Sequence, residues 1–279
     1  MNEIKTLLWH LDNPAAEGRR LPLVRDLARR LDAKLEVVYA VTPLTMQFPF
    51  AMSAESSAAG QLAACEAEQR KIARAGFERA CQAAGCTDLP WQETQDEPVR
   101  AFSQNAWAAD LLVLGQHDPK AEGASGVPAD FVASVLLATG KPALVLPYIE
   151  IAEAPGQSVL VAWKATRESA RALAGALPVL QRARQVRVLS WDEAEAPGTD
   201  ATAPALRYLQ RHGVAAQAHV ERGRAPRELG DALLSRAADL RADLLVMGCY
   251  GHGRAREWAL GGVTRTVLQS MTLPVLMAH

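Results

Sequence analysis

The sequence predicts an α/β protein of two similar halves, each folded as a doubly wound parallel sheet. The apolar run "ADLLVLG" ends at Gly115, and its near copy "ADLLVMG" ends at Gly248. Each is followed further along the chain by a second apolar run that contains a proline, "KPALVLP" and "LPVLMA". These runs are continuous rather than alternating, which is typical of parallel strands that are buried on both faces.

The first half opens with a strand-like run, "TLLWHL" from Thr6, and continues with helical spacing in "LPLVRDLARRLDA", where Leu23, Leu27 and Leu31 recur. A second strand, "KLEVVYA", follows. Residues 42–60 are rich in Pro, Ser and Ala and are interpreted as a loop or lid, and a long helix is predicted from Gln61. The predicted strand that ends at Gly115 comes next.

The second half repeats this order without the long insertion. A strand from Ser158, "SVLVAW", leads into a helical segment from Glu168, and the strand "QVRVLSW" follows. Residues 192–204 form a shorter and more acidic loop than residues 42–60. Strand and helix alternate through both halves, which favours a doubly wound fold in each.

The length of the chain also indicates two domains. It has 279 residues, and a domain ordinarily takes roughly 100–200 residues. Pro155 and Gly156 interrupt the pattern in the segment 149–157, so we predict domains at residues 1–150 and 157–279.

Composition excludes several classes of function. The formal net charge of −1 gives no general attraction to nucleic acid or to an anionic membrane. The N-terminus does not resemble a signal peptide and no run is long enough to span a membrane, so a cytoplasmic protein is expected. The four cysteines form no CxxC pair and no metal is predicted. Cys249 lies in a glycine-rich loop and would be reactive if a helix N-terminus lowered its pKa.

That loop, "MGCYGHGRAREWALGGVTRTVL", holds the candidate site. It joins a predicted strand to a predicted helix and contains glycines at Gly248, Gly251, Gly261 and Gly262. Glycines let a ligand approach the backbone, and the amides that begin a helix suit a phosphate. The loop is neither a Rossmann fingerprint nor a Walker A motif. The alternative is a glycine-rich turn that only packs the helix against the sheet.

The same residues resemble the C-terminal signature of the universal stress proteins, G-x2-G-x9-G-[ST], followed by a helix and a last strand. The resemblance covers nearly all of residues 158–279 and, more loosely, residues 5–147. It implies two adenine nucleotide α-hydrolase-like domains in tandem, whose last strands pair across the halves as an internal pseudo-dimer. It also implies one ATP or AMP per chain, and its candidate cofactor-binding residues are Lys164, Gly248, Gly251, His252, Gly261, Gly262, Val263 and Thr264.

Two departures from the family pattern weaken this expectation. Gly262 stands where the family has Ser or Thr, and Lys164 stands where the family has an Asp beside the adenosine. A lysine cannot accept a hydrogen bond from a ribose hydroxyl, although it can pair with a phosphate.

The first half departs differently. It keeps the family Asp as Asp12, but Asp118 replaces the second glycine and Asp130 takes the Ser/Thr position. We expect Asp130 to cap its own helix and to repel a phosphate, so the first half is predicted to be a degenerate copy. His10, at the end of the first strand, is expected to be solvated.

Three hypotheses remain open. In the first, an adenine nucleotide is a regulatory ligand in the second half of a stress-response protein. In the second, the protein binds no nucleotide and acts as an interaction scaffold for an unknown protein partner. In the third, it is a slow ATPase in which Lys164 or Arg254 assists phosphoryl transfer, although the loop has no Mg²⁺-binding acid of a recognised kind. Neither nucleic acid nor membrane is expected as a partner, and a homo-oligomer is left open.

Overall fold

A computed structural model of the chain describes most of its length. The described residues are 3–11, 14–48, 58–86, 89–119, 126–192, 201–222, 228–251 and 262–279.

The first half contains five strands and five helices within the described residues. They are β1 (Thr6–Leu11), α1 (Pro14–Leu31), β2 (Lys34–Tyr39), α2 (Leu44–Gln47), α3 (Ala58–Ala83), β3 (Trp91–Glu93), α4 (Pro98–Ala106), β4 (Leu111–Gly115), α5 (Phe131–Thr139) and β5 (Ala143–Leu146).

The second half repeats the pattern. Its elements are β6 (Ser158–Ala162), α6 (Arg167–Leu180), β7 (Gln185–Asp192), α7 (Ala203–Arg211), β8 (Ala216–Arg222), α8 (Leu229–Asp239), β9 (Leu244–Gly248), α9 (Gly262–Ser270) and β10 (Val275–Ala278).

All ten strands belong to one sheet, in the order β3-β2-β1-β4-β5-β10-β9-β6-β7-β8. Neighbouring strands within each half are parallel. The halves meet where β5 and β10 pair antiparallel, with Val145 opposite Val275 and Ala143 opposite Met277. This confirms both the two parallel five-stranded units and the predicted pairing of the last strands. Because the central pair is antiparallel, the carboxyl ends of the strands face opposite edges of the sheet in the two halves.

The core lies on both faces of this sheet. Leu7 and Trp9 of β1 point into one apolar cluster, together with residues of α1, α3, α6 and α7. Leu8 of the same strand points into the other cluster, together with residues of α4, α5, α8 and α9. Burial on both faces is what the continuous apolar runs predicted. Within the described residues, no helix is long and apolar enough to cross a membrane.

The aspartates that begin the repeated "ADLLV" runs hold the first strand of each half in place. The Asp110 carboxylate accepts hydrogen bonds from the backbone amides of Lys5 and Thr6, at 2.8 and 3.0 Å. In the second half, the Asp243 carboxylate accepts hydrogen bonds from the backbone amides of residues 156–158, at 2.9–3.1 Å. Each aspartate therefore fixes the start of its half to the fourth strand of that half.

The segment 42–60 is not wholly a loop. Helix α2 lies inside it, and α3 begins at Ala58 rather than at Gln61. Residues 49–57, which make up nearly half of the predicted loop or lid, lie outside the described residues. In α1, Leu27 and Leu31 are buried as expected, whereas Leu23 is only partly buried and Val24 takes its place in the core.

Candidate ligand cleft in the second half

A cleft of about 430 Å³ opens beyond the carboxyl ends of β6, β7 and β9. This is the edge of an open α/β sheet at which ligands bind. The described residues that line it include Lys164, Gly248, Gly251, Gly262, Val263 and Thr264. The structure therefore brings these predicted residues together around one space. The other two predicted residues, His252 and Gly261, lie outside the described residues, as does Arg254.

Helix α9 begins in the wall of this cleft. A Cβ atom placed on Gly262 would have no atom within 4 Å outside its own neighbours, so the first residue of the helix faces open space. Thr264 is buried, and its Oγ1 accepts a hydrogen bond from the backbone amide of Tyr250 at 3.4 Å. That bond uses a lone pair of the oxygen, so the hydroxyl hydrogen can still be donated. The helix start thus offers amide donors, a hydroxyl and the positive end of its dipole.

Gly248 and Gly251 are needed for protein packing as well as for access. A Cβ atom on Gly248 would lie 2.5 Å from the backbone nitrogen of Ser169 and 2.6 Å from the carbonyl carbon of Glu168. A Cβ atom on Gly251 would lie 2.9 Å from Glu168 Oε2. The first turn of α6 therefore approaches the glycine loop so closely that side chains are excluded. Gly248 and Gly251 therefore serve protein packing, as the alternative of a glycine-rich packing turn predicted, in addition to lining the cleft.

The side chain of Thr266 packs away from the cleft. A Cβ atom on Gly230 of α8 would lie 2.6 Å from Thr266 Cβ, so α8 and α9 meet at this pair. Thr266 therefore contacts α8 and is not among the described residues that line the cleft.

Several lining residues were not singled out from the sequence. Trp163 directly follows β6, and Trp191 lies near the carboxyl end of β7; both give the cleft aromatic walls. Trp163 Nε1 donates to the carbonyl oxygen of Ala201 at 3.1 Å. Thr166 caps α6 through its side-chain oxygen, which accepts from the Ser169 amide. Glu168 lines the cleft although its carboxylate is almost fully buried. Their positions near the carboxyl ends of parallel strands, or at the start of the helix that follows, were the available signal, since the strand ends of one half share an edge.

Cys249 is not a reactive thiol in this fold. It is 1% exposed, and burial together with the nearby Glu168 carboxylate raises its pKa to about 12. The condition for a reactive thiol is therefore not met, because the side chain is buried in the core and its pKa is raised rather than lowered. Burial also raises the pKa of the adjacent Tyr250 hydroxyl, with smaller contributions from Cys249 and from Asp130.

Aromatic rings fill the corresponding place in the first half. Strand register aligns His10 with Ala162, and distance from the last strand aligns Phe131 with Val263. The His10 ring lies 4.2 Å from the Phe131 ring and 5.1 Å from the Phe102 ring, measured between centroids. His10 is 1% exposed, so the expectation of a solvated residue was wrong. Packing of α4 and α5 over the strand end buries it.

A ring nitrogen of His10 also has a hydrogen-bond partner within this aromatic cluster. His10 Nε2 lies 2.8 Å from the carbonyl oxygen of Ala40, the residue that directly follows β2. This hydrogen bond offsets the cost of burying a polar ring and fixes the ring between the two phenylalanines. The volume that is open in the second half is therefore occupied by protein in the first.

Asp130 stands at the N-cap position of α5, but its carboxylate accepts no capping hydrogen bond from the helix. Instead it accepts from the Ser134 hydroxyl at 3.4 Å. The prediction that Asp130 caps its helix was therefore wrong, since its φ and ψ of −96° and 11° are not the extended values of an N-cap. Asp118 is partly buried and Asp12 lies outside the described residues.

Within the described parts of the chain, no group of three His, Cys, Asp or Glu side chains lies together so as to hold a metal ion. The four cysteines are all free, with Cys65 exposed and Cys81 buried.

Comparisons with known proteins identify the second half. The sequence model of the universal stress protein family matches residues 155–279. A universal stress protein from Archaeoglobus fulgidus superposes with a TM-score of 0.71 over 99% of this chain and 97% of its own, at 15% identity. A protein of unknown function from Pseudomonas aeruginosa superposes with a TM-score of 0.60 over 99% of this chain and 92% of its own, also at 15% identity.

At such identities these structures establish only the fold, and they do so for the whole chain. The match to the family model establishes the family of residues 155–279. The comparison with curated proteins gave no match. The chain therefore carries a universal stress protein domain at residues 155–279, within a tandem of two folds of this type.

Proposed function

We propose that the second half binds one adenine nucleotide, ATP or AMP, in the cleft, and that this ligand regulates a cytoplasmic stress-response protein. The observation that carries the proposal is the cleft itself, which lies at the carboxyl edge of the sheet where α9 begins. Its volume of about 430 Å³ falls within the range of about 300–1,000 Å³ that is usual for small-molecule sites.

The chemistry of the walls fits the parts of a nucleotide. The phosphate would rest at the start of α9, on the backbone amides of residues 262–264 and the Thr264 hydroxyl, where the helix dipole favours an anion. Lys164 is exposed at the mouth of the cleft and supplies a positive charge. The base would lie against the apolar side of the cleft, where Trp163 and Trp191 present flat aromatic surfaces.

The second candidate function is an interaction scaffold on the same fold that binds no nucleotide. Two observations favour it. Lys164 supplies no acceptor for a ribose hydroxyl, and the Glu168 carboxylate in the cleft wall repels phosphate. A ligand titration separates this candidate from the first.

The test introduces into the second half an aromatic ring like the one that occupies the equivalent place in the first half. Replacement Val263→Phe places a phenyl ring where Phe131 stands in the first half, so it should block the end of the cleft at which α9 begins and leave the fold intact. Gln269→Phe is the matched control, because Gln269 is exposed on the same helix and does not line the cleft. ATP and AMP are titrated calorimetrically into the wild type and both variants, and circular dichroism checks that each variant is folded.

We expect the wild type and Gln269→Phe to bind one nucleotide per chain and Val263→Phe to bind none. Equal heats for Val263→Phe and the wild type would show that binding occurs elsewhere. No binding of either nucleotide by the wild type at millimolar concentration would leave the scaffold as the better account.

A further inference from the structure

Glu168 is an unusual residue in the cleft wall. It is the second residue of α6, it lines the cleft, and it is only 4% exposed. Glutamates are seldom so deeply buried unless they are paired. Its neighbours therefore determine whether its side chain is ionised and presents a negative charge to a ligand in the cleft.

Those neighbours keep the carboxylate ionised. Burial alone would raise the pKa of Glu168, but hydrogen bonds from the Arg167 guanidinium, its own backbone amide and Thr166 outweigh burial and lower it. The Arg167 side chain that pairs with it is itself 71% exposed, so solvent screens the positive partner more than the buried carboxylate. A negative charge consequently remains in the wall.

The carboxylate also lies directly beside the glycine loop. Glu168 Oε2 is so close to Gly251 that an added Cβ atom there would be 2.9 Å away. An anionic group placed against Gly251 would therefore lie within a few ångströms of this oxygen. Two like charges at that separation in a partly buried site repel strongly enough to weaken binding by roughly 10- to 100-fold.

We propose that Glu168 sets how much phosphate the cleft accepts, so that an adenine nucleoside or its monophosphate binds in preference to the triphosphate. This inference rests on the proposed function and makes it more specific. The start of α9 holds one phosphate, and any extension of the phosphate chain toward Gly251 meets the carboxylate. Lys164 does not relieve this repulsion, because it is exposed at the mouth of the cleft whereas Glu168 is buried in its wall.

Adenosine, AMP and ATP are titrated into the wild type, Glu168→Gln and the control Asp239→Asn. The amide has the shape of the carboxylate without its charge, and Asp239 is an exposed acid of the same half that does not line the cleft. We expect Glu168→Gln to bind ATP roughly 10- to 100-fold more tightly than the wild type, with adenosine affinity unchanged and no effect of Asp239→Asn.

A second variant keeps the test valid if Glu168→Gln folds poorly. Glu168→Ala removes the same charge without burying an amide in its place, so it should also bind ATP more tightly than the wild type while leaving adenosine binding unchanged. If the wild type binds ATP as tightly as AMP and the variants change nothing, the inference is overturned and the proposed function stands. If no protein binds any of the three ligands, the proposed function fails and the inference fails with it.

Discussion

Replacing Gly248 by alanine tests whether the glycine loop is held against α6 as tightly as the structure indicates. The added Cβ atom would lie 2.5 Å from the Ser169 backbone nitrogen and 2.6 Å from the Glu168 carbonyl carbon. Comfortable contact needs about 3.5 Å, so the backbone of α6 must move by roughly 1 Å. Overpacking of this kind costs about 1–3 kcal/mol in the free energy of unfolding.

The chain offers a matched control at the equivalent glycine of the first half. A Cβ atom on Gly115 would also meet an atom at 2.5 Å, but that atom is Nη1 of the Arg20 side chain, which can swing aside. We expect Gly115→Ala to change the free energy of unfolding by less than about 0.5 kcal/mol.

Urea unfolding of both variants, followed by circular dichroism, distinguishes a rigid clash from a flexible one. Gly248→Ala should unfold at lower urea than the wild type, and Gly115→Ala should not. Equal midpoints for the two alanine variants would refute the claim that α6 packs rigidly on the loop.

Three further predictions follow from buried groups. Burial raises the pKa of the Cys249 thiol to about 12, against 9.0 for an unperturbed thiol. The stability that the protonated thiol contributes is therefore complete below pH 9 and is lost as the pH rises toward 12. Cys249→Ala should consequently lose less melting temperature at alkaline pH than the wild type does. Asp243→Asn should lower the free energy of unfolding by about 1–3 kcal/mol in urea titrations, because it removes a charged acceptor of three amides. Phe131→Val should lower it by somewhat less than the about 3–5 kcal/mol of a Phe→Ala change, and the exposed Leu137→Ala should have little effect in the same titration.

The sheet could be predicted from the sequence because its signals are local and repeated. Continuous apolar runs predicted strands buried on both faces, and the two copies of "ADLLV" predicted equivalent places for β4 and β9. The pairing of β5 with β10 could not be predicted from the apolar pattern, since both strands are equally apolar, and it came from the family resemblance. The antiparallel direction of the pair was not predicted. The role of the repeated aspartate was missed, because its amide partners lie 85–105 residues away.

The site could be predicted only in part. Glycine spacing located the loop and the start of α9, because both are contiguous in sequence. Glu168 was missed because a glutamate in the first turn of a helix is an ordinary and usually solvated residue. The burial of His10 was also missed, because residues of α4 and α5, about 90–120 positions away in the sequence, cover it. Tertiary packing determines which polar residues are enclosed, and one sequence does not display it.

In the described parts of the two halves, side-chain volume at the strand end distinguishes the open place from the filled one. Both have the same strand order, the same aspartate anchor and a helix that begins beyond the fourth strand. Two of the aligned positions at which they differ lie at this place, where the first half has His10 and Phe131 and the second has Ala162 and Val263. The rings of the first half pack on each other and on Phe102, and the small side chains leave the space open. A carboxylate at the helix start, as at Asp130, then adds repulsion to a place that is already closed.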